Sequence, residues 1–146
     1  MSDELNGSPP TTYWVIATGL LFWNLLGLFG YYTQVTMTPE MMAANFTEAQ
    51  QAWMQNEPAW ATSAYAIAVT AGVIASALLL LRKALAFPIF IVSFIAVLVQ
   101  DFNAFILSDW HGVWGNTALY LPSVVIVICI FEIWYSRSSK TKGWLA

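Results

Sequence analysis

The chain has 146 residues, 59% of them hydrophobic and only 9% charged, with a formal net charge of −3. A soluble domain carries about a quarter charged residues, so this balance points to lipid as the solvent. The acidic balance without a basic patch excludes nucleic acid as a partner, and a single cysteine, Cys129, excludes an internal disulfide and dithiol redox chemistry.

A hydrocarbon core of about 30 Å requires roughly 20 apolar residues at about 1.5 Å rise each. Four stretches meet that length, at 13–35, 58–81, 85–107 and 117–135. The expected fold is therefore all-α: a polytopic membrane protein whose residues 1–146 make a single four-helix bundle. The leading residues MSDELNGSPPTT are acidic and contain no Lys or Arg. The apolar run behind them exceeds the about 7–15 residues of a signal-peptide core, so a retained helix is expected.

The first span carries a polar stripe. Asn24, Gly27, Tyr31 and Gln34 are spaced three, four and three, and so share one helix face. An amide in that setting is expected to make an interhelical hydrogen bond that fixes register. The connection 36–57 follows. In it Thr38-Pro39-Glu40 reads as an N-cap, a proline at the first helical position and an acid in the first turn. Thr47-Glu48-Ala49-Gln50 has capping-box spacing. A short helix on the membrane surface or over the bundle mouth is expected. Met37, Met41, Met42 and Met54 could suit Cu(I), but with no cysteine nearby they read as adaptable apolar filler, and no metal site is expected.

Pro58 opens the second span, where Ala64, Ala68, Gly72 and Ser76 recur every fourth residue beside Ala71 and Ala75. Such a ladder lets another backbone approach closely. On the third span Ser93, Ala96, Gln100 and Asn103 repeat the stripe, as Asn116, Tyr120 and Ser123 do on the fourth. Turned inward, these stripes give a bundle with a polar outer half and a dry inner half.

Charge sets the orientation. Arg82 and Lys83 lie between the second and third spans, and Arg137, Lys140 and Lys142 follow the fourth; these are all five basic residues. The positive-inside bias places that side and both termini in the cytoplasm. Trp14 and Trp134 fall near the inner borders, and Trp60, Trp110 and Trp114 near the outer ones, as interfacial anchors do. Two carboxyls lie within membrane depth. Glu132 is expected to pair with Arg82, Lys83 or Arg137 near the inner boundary. Asp101 has no basic residue on its side, so it needs a proton, an amide such as Gln100 or Gln34, or His111. His111 itself reads as a surface turn residue in SDWHGVWG, since one histidine supplies no metal-ligand spacing.

These residues assemble a candidate polar cavity of Asn24, Gln34, Gln100, Asp101 and Asn103. With WNLLG at 23–27, FTEAQQAW in the outer loop, PAWATSAYAIAV opening the second span, and LLLLRK followed by AFPIFIVSFIAV, the chain resembles a family of small bacterial four-helix inner-membrane proteins. Members of that family are sometimes labelled "sugar transporter". The resemblance implies a multi-pass protein of the bacterial inner membrane. No nucleophile–base pair, phosphate loop or ligand cluster is visible, so neither an enzyme nor a cofactor is expected. Two readings remain. The first is an accessory or self-associating membrane subunit, whose partners are the bilayer and a second copy or another membrane protein. The second is small-solute or proton transport, as an oligomer, through the polar cavity around Asp101.

Overall fold

The fold comes from a computed structural model that describes residues 7–146; the acidic residues 1–6 lie outside the described residues. All regular structure among the described residues is helical. Helix α1 spans Thr11–Val35, α2 Pro39–Asn45, α3 Glu48–Gln55, α4 Ala59–Leu80 and α5 Ala86–Phe102. A π-helical turn, Asn103–Leu107, continues α5; then come α6, Trp110–Trp114, a 3-10 turn at Asn116–Leu119, and α7, Tyr120–Thr141. Four helices are long and apolar enough to cross a membrane: Thr11–Val35, Ala59–Leu80, Ala86–Leu107 and Asn116–Thr141.

The fourth long helix runs past the expected end at 135. Its SRSSKT tail contains no breaker, and it closes only at Gly143, whose φ of 75° suits a residue without a Cβ. Gly143 N–H bonds to the Lys140 carbonyl and Trp144 N–H to that of Ser139, each at 3.0 Å, as in a Schellman cap. The chain beyond it turns back on the α4–α5 connection. Ala146 N–H donates to the Arg82 carbonyl at 2.9 Å, and the Arg82 Nε–H donates to the Trp144 carbonyl at 2.9 Å. Arg82, Lys83, Arg137, Lys140 and Lys142 thus gather at one end, called here the basic end. The loop end, opposite, carries α2, α3 and α6.

The long helices pack in the order α1, α4, α5, α7, with α4 between α1 and α5. What α4 buries is mostly small: Ala64, Ala68, Ala71, Gly72, Ala75 and Ser76 are all inside. Many large apolar side chains point out, with Val15 67%, Phe22 64% and Val127 65% exposed. A protein folding in water hides its large residues, whereas close approach of backbones drives association where the surroundings are as apolar as the core.

Gly72 marks the tightest approach. A Cβ there would lie 3.0 Å from Cγ of Asn24 on α1 and 3.5 Å from Oγ of Ser93 on α5. The Ser93 hydroxyl donates to the Ala68 carbonyl at 2.7 Å, bonding α5 directly to the α4 backbone. At the basic end, Tyr13 is fully buried, donates its hydroxyl to the Leu79 carbonyl and lies against the rings of Tyr135 and Trp144.

A glycine-to-alanine pair separates packing from propensity. Gly72→Ala forces α1 away and should destabilise the protein by about 1–3 kcal/mol, as overpacking does. Gly19→Ala, with nothing within 4 Å of the added carbon, should be neutral or stabilising by up to about 1 kcal/mol. Thermal unfolding in detergent, followed by tryptophan fluorescence, reads both.

Candidate functional site

Asn24 sits midway along α1 and is buried. Its amide nitrogen lies 2.9 Å from the Leu20 carbonyl, 2.8 Å from Ser76 Oγ on α4 and 2.7 Å from Glu132 Oε1 on α7. Two N–H groups therefore serve three acceptors on three helices. The Ser76 hydroxyl in turn donates to the Gly72 carbonyl at 2.8 Å. The expected interhelical bond is present, and it reaches two partner helices at once.

Glu132 corrects an expectation. It is only 2% exposed and is held by Asn24, not by the basic residues. Arg82 is committed elsewhere, to the carbonyls of Trp144 and Gly7. Because α7 continues to Thr141, Glu132 stands more than two turns inside the helix, away from its basic end. The half toward the basic end is consequently not free of polar side chains: Glu132, Ser136, Ser139 and Ser76 are all buried there.

Above Asn24 a cavity of about 550 Å³ opens between the long helices and runs to the loop end. From α1 come Trp23, Asn24, Gly27, Gly30 and Gln34; from α4, Tyr65, Ala68 and Val69. Ser93, Val97, Gln100 and Asp101 line it from α5, and Pro122, Val125 and Cys129 from α7. Glu57, Trp53 and Trp110 complete it near the loop end. The α1 and α7 helices form no extensive seam of their own. Leu26 and Leu121, on the two sides of that gap, line the cavity while 51% and 65% exposed. The cleft is open sideways there.

The structure brings Asn24, Gln34, Gln100 and Asp101 to this one cavity, and leaves Asn103 out of its lining. Helical geometry explains the exception. Asp101 and Asn103 stand about 160° apart around the axis, whereas Asn103 follows Ala96 by seven residues and shares its buried side. Glu57 joins the set from outside the expected list. Its Oε2 accepts from Gln34 Nε2 at 3.1 Å and from Thr62 Oγ1 at 3.0 Å. Burial raises the Glu57 carboxyl above the ordinary range, and the bonds from Thr62 and Gln34 pull it part of the way back.

Asp101 finds none of its expected partners. Gln34 is bonded to Glu57, His111 is exposed and bonded to Asn116, and Asp101 Oδ2 is buried without a hydrogen-bond partner among the described residues. Trp110 and Trp114 belong to an aromatic cluster at the loop end. They stack on each other with centroids 5.2 Å apart, and both lie edge-on to Trp53, at 5.1 and 6.1 Å. Both indole N–H groups are buried and unpaired among the described residues, while that of Trp53 donates to Ser108 Oγ at 3.1 Å. The cluster exists because the 36–57 connection folds into two helices, α2 and α3, with α3 packed on α6. Thr38 caps α2 and Thr47 closes α3 with a full capping box.

The polar stripe expected to point inward from the fourth helix does not. Tyr120 is 72% exposed, and Asn116 and Ser123 are also exposed; the Ser123 hydroxyl bonds to its own Leu119 carbonyl. Among the described residues no cluster of three or more His, Cys, Asp or Glu side chains could hold a metal ion. Compared with family models, curated proteins and solved structures, the chain matches none.

Two measurements test this geometry. Asn24→Leu strands Glu132 and should lower stability by about 1–3 kcal/mol, the cost of an orphaned buried polar group. Asn24→Leu with Glu132→Leu should recover part of that loss, since both partners are then apolar. Unfolding titrations in mixed micelles compare them. For Glu57 the sign follows from its raised folded value. Folding then holds the proton, so its contribution is present at low pH and is lost as pH rises from the ordinary carboxylate range through the folded value. Glu57→Gln, which still accepts from Gln34 and Thr62, should therefore gain thermal stability relative to the parent as pH rises through that window.

Proposed function

We propose that the chain is a multi-pass protein of a bacterial inner membrane, basic end in the cytoplasm, that admits a small solute from the outer side into its cavity. The observation that carries this reading is the cavity itself. A single chain frames a cleft of about 550 Å³, within the roughly 300–1,000 Å³ typical of small-molecule sites. Its walls are mainly apolar, with a few polar groups convergent on the space, which is the composition of such sites. The orientation rests on the gathering of all basic residues at one end, and the bacterial membrane on the resemblance of WNLLG and FTEAQQAW to that family.

Action by association with a second copy or another membrane protein draws on the small-residue ladder of α4. That ladder is buried between α1 and α5 within the chain, so it offers no face to a partner. The weight moves to the cavity, where Asp101 supplies the unpaired acceptor.

The lone cysteine gives a direct test, because Cys129 lines the cavity. Methyl methanethiosulfonate should modify Cys129 in intact reconstituted vesicles, read as a mass shift on the whole protein. Val69→Trp, which fills the space, should slow that reaction at least tenfold without changing thermal stability by more than a few degrees. A thiol that reacts only after unfolding shows a cavity closed to solutes and removes the reading. Asp101→Asn should then abolish uptake of any solute found to be carried.

A further inference from the structure

The charge and aromatic content of the cavity narrow its occupant. Two carboxyl side chains line it, Glu57 and Asp101, and no Lys, Arg or His does. The basic residues stand at the far end of the bundle, beyond Asn24 and Glu132. Five aromatic side chains also line the space: Trp23, Trp53, Tyr65, Phe105 and Trp110. Aromatic faces carry negative electrostatic potential and attract a cation placed over them, most strongly where water is excluded. Asp101 Oδ2 is buried with no donor among the described residues, so one strong acceptor in this wall is unspent.

We propose that the cavity takes a hydrophobic organic cation, such as a protonated amine or quaternary ammonium bearing apolar groups, held between Asp101 and Glu57 and against the tryptophan and tyrosine rings. This inference rests on the solute-binding reading of the same cavity and names its substrate class. Competing chemistries fit worse. An anion meets two carboxyls and no counter-charge. A polyol needs a partner for nearly every hydroxyl, whereas the wall between the polar groups is Leu26, Val69, Val97, Leu121 and Val125. A strongly hydrated metal ion would need several oxygen ligands at one point, and among the described residues no such cluster is assembled. A hydrophobic cation loses little hydration, gains from the apolar wall, and supplies the charge that the carboxyls lack.

The experiment uses the full chain in lipid nanodiscs, with empty nanodiscs as the baseline for partitioning. Three probes of similar bulk differ in charge: tetraphenylphosphonium, triphenylphosphine oxide and tetraphenylborate. Binding is read as quenching of tryptophan fluorescence and, independently, by equilibrium dialysis. Tetraphenylphosphonium is expected to bind at least tenfold more tightly than the neutral oxide, with no saturable binding of the borate. Asp101→Asn and Glu57→Gln should each weaken the cation at least fivefold and leave the oxide unchanged. Glu57→Gln retains the bonds to Gln34 and Thr62, so it serves if Asp101→Asn fails to fold. Equal or tighter binding of the oxide or the borate, blocked by Val69→Trp, overturns the cation assignment and leaves the cavity reading standing. Cation binding indifferent to both carboxyl variants also overturns it. No saturable binding by any probe overturns both.

Discussion

The amide of Asn24 joins three of the four long helices at one point. In the membrane reading there is no water to serve Ser76 or Glu132, so each polar group placed inside must find its partner inside. Asn24 meets that requirement for α4 and α7 while bonding to its own helix at Leu20. Gly72 is the condition that makes it possible, because any side chain there would occupy the space of the amide. The node divides the bundle. On one side the helices are sealed by Tyr13, Leu79, Phe90 and Ala86; on the other α1 and α7 separate and the cavity begins.

The cavity then follows from an imbalance of side-chain size. Alanine, glycine and serine let α1 approach α4, and α4 approach α5, but α7 meets α5 alone among the long helices over an extensive seam. The angle between α1 and α7 is not filled by side chains in the loop half. Aromatic residues from α3 and α6 cover its end, stacked on one another. Polar residues from different helices consequently share a wall in which Gln34 bonds to Glu57 while Asp101 Oδ2 keeps no partner among the described residues.

Much of this was legible in the sequence. The four long helices, the caps at Thr38 and Thr47, the charge asymmetry and the inward stripe of α1 all rest on local spacing and composition, which one chain displays fully. Glu132 reads as a boundary residue only for a helix that stops near 135, and α7 reaches Thr141. Tyr120 and Ser123 share a face by spacing, but spacing cannot say whether that face turns in or out; Ser123 satisfies itself on its own backbone. Asn103 stands a three-residue step from Gln100, and that step sits at the edge between two faces. Glu57 reads in the sequence only as a loop charge, since its meeting with Gln34 depends on where α1 ends relative to α4. In each case the missing information was tertiary: which way a helix is rotated, or where it stops.

The open side between Leu26 and Leu121 has a consequence for how such a pocket fills. In the membrane reading, a compound that dissolves in the bilayer approaches through the acyl chains and along the gap between α1 and α7. Occupancy then depends on the mole fraction of the compound in the lipid, and two compounds with equal affinity for the wall would differ in apparent potency by the ratio of their partition coefficients. Lipid composition becomes part of the binding constant. An acyl chain can lie in the same gap, so every ligand arriving that way competes with the solvent of the protein itself.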